Sequence, residues 1–173
     1  MTRRLVVWLE GRDDRRFFEA VVRPRLLQAH EMVLVREYRS LERSVTNRRM
    51  HAMSQDGFER LFVADMNAAP CVTRRKEKLK EHYRKLQDRE ILVVVSEIES
   101  WFLAGLTAEG VTALNVECPP STDRLTKEEF DRLIPSRFDS RQDFLLELLQ
   151  HFDLDTACRR NQSFAYFCRK FLA

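Results

Sequence analysis

The chain has no long apolar run, no closely spaced cysteines and no cluster of histidines, and each lack removes a class of protein. No stretch approaches the roughly 20 apolar residues of a helical membrane span. Arg3 and Arg4 are followed by only five apolar residues before Glu10, which is not a signal-peptide pattern. Cys71, Cys118, Cys158 and Cys168 never fall at CxxC spacing, so reduced thiols in a cytoplasmic protein are expected. The four histidines are widely separated, and nothing suggests a zinc site. There is no internal repeat and no low-complexity segment.

What is present is a globular composition, 33% charged and 44% hydrophobic over 173 residues, enough for one substantial core. The net charge of +3 leaves a nucleic-acid partner open. The basic residues are mostly arginine, which suits phosphate recognition but is also what genomic base composition alone can produce.

Leu5 to Leu9 run into Glu10-Gly11-Arg12-Asp13-Asp14. A short apolar run ended by glycine predicts a strand buried on both faces, with Gly11 turning the chain sharply and a carboxylate, Glu10, at the strand's carboxyl end. Phe17 with Val21 and Phe18 with Val22 predict a helix over 13–27, kinked or shortened by Pro24. Met32 to Val35 reads as a second strand. Residues 40–58, with Arg43, Arg48, Arg49 and His51, read as a helix or mobile loop over the sheet. Leu61 to Ala64 forms a third strand that ends in Asp65-Met66-Asn67, and residues 72–86 return to helical spacing with a basic face. Ile91 to Val95 is the fourth strand, followed by Ser96-Glu97-Ile98-Glu99-Ser100-Trp101 and a helix to about Leu106.

This alternation predicts an α/β fold with a mainly parallel sheet of about four strands flanked by helices. An α/β core over 1–106 would carry a mostly helical extension over 107–173, packed on the same domain. Right-handed crossovers would bring Glu10, Asp65 and Glu97 to one edge of the sheet. In the tail, Phe144, Leu145, Leu148, Leu149 and Phe152 make one stripe and Phe164, Phe167, Cys168, Phe171 and Leu172 another, both read as core packing.

Carboxylates gathered at strand ends repel one another unless a cation offsets them, and magnesium (or manganese) is the expected guest. Asp65 is the first candidate ligand, with Asn67 two residues on along an extended segment. Glu97, Glu99 and Asp14 are further candidates, and Glu10 is a ligand or a general acid or base. Arg74, Arg75 and Lys76 would hold phosphate charge beside the ion. Each has a plainer role: Asp13 or Asp14 capping a helix, Asp13 in particular, Glu97 or Glu99 favouring a helix start, and the basic face lying in solvent.

Leu-Val-Val-Trp-Leu-Glu10-Gly11 and Leu-Phe-Val-Ala-Asp65-Met-Asn67 together resemble the Toprim (topoisomerase-primase) superfamily, a Rossmann-like fold with an apolar strand ending in Glu-Gly and a later one ending in Asp-x-Asp. The Glu10-x-x-x-Asp14 spacing is similar to that of OLD-type nucleases (overcoming lysogenisation defect), where it serves a two-metal site. Closer still is a family of small prokaryotic Toprim-like proteins of unassigned function, which this chain resembles in Glu97-Ile98-Glu99-Ser100-Trp101-Phe102-Leu103-Ala104 and in Asn161-Gln162-Ser163-Phe164-Ala165-Tyr166-Phe167. Asn67 departs from the pattern by replacing an acid with an amide.

The resemblance implies a magnesium-dependent nuclease with Glu10 and Asp65 as catalytic residues. Asp65, Asn67, Glu97, Glu99 and Asp14 would be around the metal, and Arg12, Arg74, Arg75 and Lys76 on the nucleic acid. A role in phage or plasmid defense, with a partner protein completing the system, belongs to the same expectation. The alternative is a module that kept the fold, binds nucleic acid or a protein partner, and lost the chemistry. A receiver-type phosphoacceptor, with Asp13 and Asp14 as ligands and Asp65 taking phosphate, lacks the fifth strand ending in lysine and ranks last.

Overall fold

Strand β1 (Arg4–Leu9) is buried from Leu5 to Leu9 without alternation, as an apolar run becomes when both faces of its sheet are covered. The structure, a computed structural model, describes residues 3–172. β1 pairs on one side with β2 (Met32–Glu37) and on the other with β3 (Phe58–Asp65), which in turn pairs with β4 (Ile91–Val94). The order is β2-β1-β3-β4 and every pairing is parallel. Trp8 lies level with Phe62, Leu9 with Glu37 and Asp65 with Val94. The sheet is thus four-stranded and flanked by helices, as the alternation predicts.

Three crossovers join these strands. The first is one helical run made of α1 (Arg12–Phe17), a π-helical turn (Phe18–Val22) and α2 (Arg23–Ala29). Pro24 does not shorten this run, which continues to Ala29. Proline lacks an N–H and crowds the carbonyl four residues back, and the widened turn before it, in which the Arg23 N–H reaches the Phe18 carbonyl, lets the helix continue. The second crossover is α3 (Arg43–Gln55), a helix through the segment for which a mobile loop was the other expectation; Met50 and Thr46 are its buried residues. The third is α4 (Val72–His82), which stops short of Leu86.

The step from β1 to β2 runs opposite to the steps toward β3 and β4. Right-handed crossovers therefore put the α1–α2 run on one face of the sheet and α3 and α4 on the other. On the latter face Val6, Trp8, Phe62 and Ala64 pack with Met50, Leu79 and Tyr38. Tyr38 stacks on Phe62 at 4.4 Å between ring centroids, and Tyr83 tilts against Phe62 at 4.7 Å. Each fully buried side chain of this size contributes about 1.5–3 kcal/mol.

The chain divides into two units, Met1–Val94 and Val95–Ala173, so the border falls just after β4 and the next helix belongs to the second unit. That unit comprises α5 (Ile98–Ala104), α6 (Ala108–Leu114), α7 (Lys127–Arg132), α8 (Arg141–Gln150), α9 (Leu154–Arg160), α10 (Gln162–Phe167) and a closing π-helical turn (Cys168–Leu172). Side chains of Thr107, Thr126, Ser140, Asp153 and Asn161 cap α6 to α10 in turn, each accepting a backbone N–H of the first turn. Phe144, Leu145, Leu148, Phe164 and Phe167 are buried, so both tail stripes face the core at these positions. Among the described residues no helix is long and apolar enough to cross a membrane.

The two segments that carried the closest resemblance meet inside this second unit. Trp101 Nε1 donates to Ser163 Oγ at 2.8 Å, and the Asn161 amide donates to Ser100 Oγ and Thr122 Oγ1 at 3.3 and 3.1 Å. Asn161 Oδ1 accepts from Ser163 Oγ and the Phe164 N–H at 2.8 and 2.9 Å. Trp101 packs edge-on against Phe164 at 5.0 Å. These residues build a core.

Candidate functional site

In an all-parallel sheet the carboxyl ends of the strands share one edge, and ligands bind there where the strand order reverses. The order β2-β1-β3-β4 puts that reversal between β1 and β3, the strands that lead into Glu10 and Asp65. Glu10 Oε2 accepts the Asp65 backbone N–H at 3.4 Å, which brings the two acidic residues to one rim. The Glu10 side chain is only 15% exposed and pairs at 3.9 Å with the freely exposed Arg39. Asp65 Oδ1 is buried.

The chain bends at Glu10 and Gly11 just past β1, as expected, but the bend does not need glycine's freedom. The Gly11 backbone is extended (φ −147°, ψ −167°), and an added Cβ would meet Asp14 Oδ2 at an ordinary 3.7 Å. Asp14, buried, accepts the Gly11 N–H at 3.2 Å from the first turn of α1. It is therefore Asp14 that holds the helix start, while Asp13 pairs with Arg16 at 2.5 Å. Asn67 is corrected as well: it adopts a left-handed conformation (φ 48°) in a turn closed by the Ala69 N–H on the Met66 carbonyl, not an extended segment. Asparagine tolerates that conformation better than most residues.

Tyr38, which sequence reasoning missed, is buried just past β2, and its hydroxyl donates to the Val63 carbonyl at 3.2 Å. Burial first, then the charge of Glu10 with lesser help from Tyr83 and Asp14, holds its hydroxyl well above the usual tyrosine range. Burial, and more weakly Glu10, also raises Tyr83. Glu10 and Asp14 thus act on one buried hydroxyl.

The basic residues divide by helical phase. Arg75 is 9% exposed, and its Nε donates to the Asp65 carbonyl at 2.7 Å. Arg74, Arg75 and Lys78, spaced for one face of α4, line a concavity of ≈ 380 Å³ against the turn 67–70. Lys76 is not among its lining residues, because it sits about 100° around the helix, and its Nζ donates instead to the Asp88 carbonyl at 2.9 Å. Lys78 was legible from that same spacing. Arg12 lines a shallow surface of mixed charge, with Arg15, Arg16, Glu19 and Glu37.

Glu97 and Glu99 lie in the second unit. Glu97 is the residue before α5, with Oε2 buried and accepting no hydrogen bond among the described residues. Glu99 is buried and ion-paired with Arg141, which also binds Asp131 and lies over the Phe130 ring at 5.2 Å. Burial is the leading influence on Glu99 and raises its carboxyl above the usual range, with Arg141 opposing.

Among the described residues no group of three or more His, Cys, Asp or Glu side chains converges to hold a metal ion. Magnesium does not require one, since it takes one or two carboxylates and keeps several waters. Glu10 and Asp65, at one rim with little solvent around the Glu10 side chain, fit that requirement.

Fold and rim together define a parallel α/β unit, wound on both faces, with acidic residues at its topological switch point. No family model matches the sequence, and neither a curated protein nor a solved structure matches it.

Proposed function

We propose that the protein is a Toprim-like enzyme, dependent on magnesium or manganese, that cleaves phosphodiester bonds in DNA or RNA. The reading rests on one observation: the Glu10 carboxylate accepts the Asp65 N–H at the strand-order reversal, next to a concavity lined by Arg74, Arg75 and Lys78. The divalent ion, held by Asp65 and Glu10 with Asn67 and Asp14 nearby in sequence, would neutralise phosphate charge and lower the pKa of a bound water. Glu10 would exchange a proton with the substrate or water at Oε1, since Oε2 accepts the Asp65 N–H. Arg75 fixes the backbone of Asp65, and the cations of α4 attract the phosphate. Glu99 is committed to Arg141. A cytoplasmic role in defense against phage or plasmids, with a partner protein, belongs to the same proposal.

The test is cleavage of labelled single- and double-stranded DNA and RNA with magnesium or manganese. Activity abolished by Glu10→Gln and by Asp65→Asn, with folding intact by circular dichroism, is expected. A protein that binds either ion yet cuts none of these substrates would end the enzyme reading. The donor set favours a second reading, a module that binds without chemistry: the other two candidate ligands of this unit are an amide, Asn67, and a carboxylate engaged on the Gly11 N–H, Asp14. Strongly salt-dependent nucleic-acid binding without turnover would identify it.

A further inference from the structure

Arg75 is a guanidinium nine-tenths buried that forms no ion pair among the described residues. Its Nε is taken by the Asp65 carbonyl, and its side chain lines the concavity beside the turn 67–70. A buried cation without a carboxylate is costly unless an anion joins it, so the position calls for a negative ligand. Two more cations line the same space. Lys78 has no ion pair among the described residues, and Arg74 shares its charge with exposed Glu77 at 2.9 Å. The opposite wall, Ala68, Ala69 and Pro70, is small and apolar.

We infer that this concavity binds the terminal phosphate of a nucleic-acid strand, holding the strand end beside Asp65. The inference deepens the function proposed above, from which it takes the nucleic-acid class of the ligand. Three cationic side chains match a monoester dianion better than the single charge of an internal diester. The volume, ≈ 380 Å³, accommodates about one nucleotide rather than a tracked strand. The guanidinium fork of Arg75 suits two phosphate oxygens at once, and the apolar wall offers a surface for a sugar or base.

The experiment measures fluorescence anisotropy of labelled ten-nucleotide DNA and RNA strands carrying a 5′-phosphate, a 3′-phosphate or hydroxyl ends, in EDTA so that no divalent ion contributes. One phosphorylated end should bind roughly tenfold or more tightly than its hydroxyl counterpart. Lys78→Ala with Arg74→Ala, two replacements on the surface of α4 that leave the buried Arg75 in place, should erase that preference. Equal affinity for phosphate and hydroxyl ends, or a preference unchanged in the folded double variant, overturns the inference. The two readings fail separately: cleavage without end preference removes only this one, and end preference without cleavage removes only the enzyme.

Discussion

Arg75 Nε donates to the Asp65 carbonyl at 2.7 Å, so the helix after β3 is tied by a buried guanidinium to the strand end that carries the acid. The bond ties the basic face of α4 to the acidic rim.

Removing Arg75 should therefore cost stability as well as any function. A hydrogen bond from a charged donor is worth about 1.5–3 kcal/mol, so Arg75→Ala should destabilise by about 2 kcal/mol in urea unfolding. Arg75→Lys keeps the charge but lacks the Nε and should fall between the two. An Arg75→Ala midpoint equal to the parent's would show that the tie carries no energy.

Glu99 supplies a pH test of the second unit. Its carboxyl is held above the usual range chiefly by burial, while Arg141 pulls the other way. A carboxyl with a higher pKa folded than unfolded binds its proton more tightly in the native state. Its contribution is then greatest below the ordinary glutamate range and is lost as pH rises through the raised value. Unfolding free energy measured across that window should decline in the parent and flatten in Glu99→Gln. Arg141→Ala, which leaves a buried carboxylate uncompensated, should steepen the decline and cost about 3 kcal/mol at neutral pH. Parallel profiles for the parent and Glu99→Gln would refute the assignment.

The strands, their parallel pairing and the acids at their ends were legible because a run such as Leu5 to Leu9 carries its own signature of two-sided burial. The strand order was not. Which neighbour β1 takes depends on crossover direction, a long-range choice that no local pattern records, so the reversal between Glu10 and Asp65 emerged only from the fold. Local backbone geometry is not legible where one residue decides it, as at Asn67, whose left-handed conformation replaces the expected extended segment. Lys76 was grouped with Arg74 and Arg75 by adjacency, when the helical period groups them with Lys78. The role of Glu99 depends on Arg141, 42 residues away, and lies beyond any motif.

Gly105 is required by packing, not by its backbone angles. A Cβ built there would lie 2.2 Å from Cε2 of Phe152, across the bridge that joins Leu106 to Phe152. Gly105→Ala should cost about 1–3 kcal/mol through overpacking. Gly105→Ala with Phe152→Ala should cost less than the sum of the two single changes, because the clash is then gone. Additive costs in thermal unfolding would mean the ring swings aside freely.

Asn161 is the position where one side chain serves most of a core at once. It is 1% exposed, caps α10 through the Phe164 N–H, and joins Ser100, Thr122 and Ser163 in a buried network that reaches Trp101. Asn161→Ala loses the cap, worth about 1 kcal/mol, and leaves the Ser163 hydroxyl and the Phe164 N–H without their acceptor. The total should be about 3 kcal/mol. Asn161→Asp should cost as much by a different route: its oxygens still accept from Phe164 and Ser163, but Ser100 and Thr122 lose their donor and a charge is buried. Lowering the pH into the carboxylate range should restore part of that loss in Asn161→Asp, because a protonated carboxyl regains one donor, and should restore none in Asn161→Ala. Equal pH profiles for the two variants, measured by chemical unfolding, would show that the amide's donors do not matter and that its cap alone holds the tail.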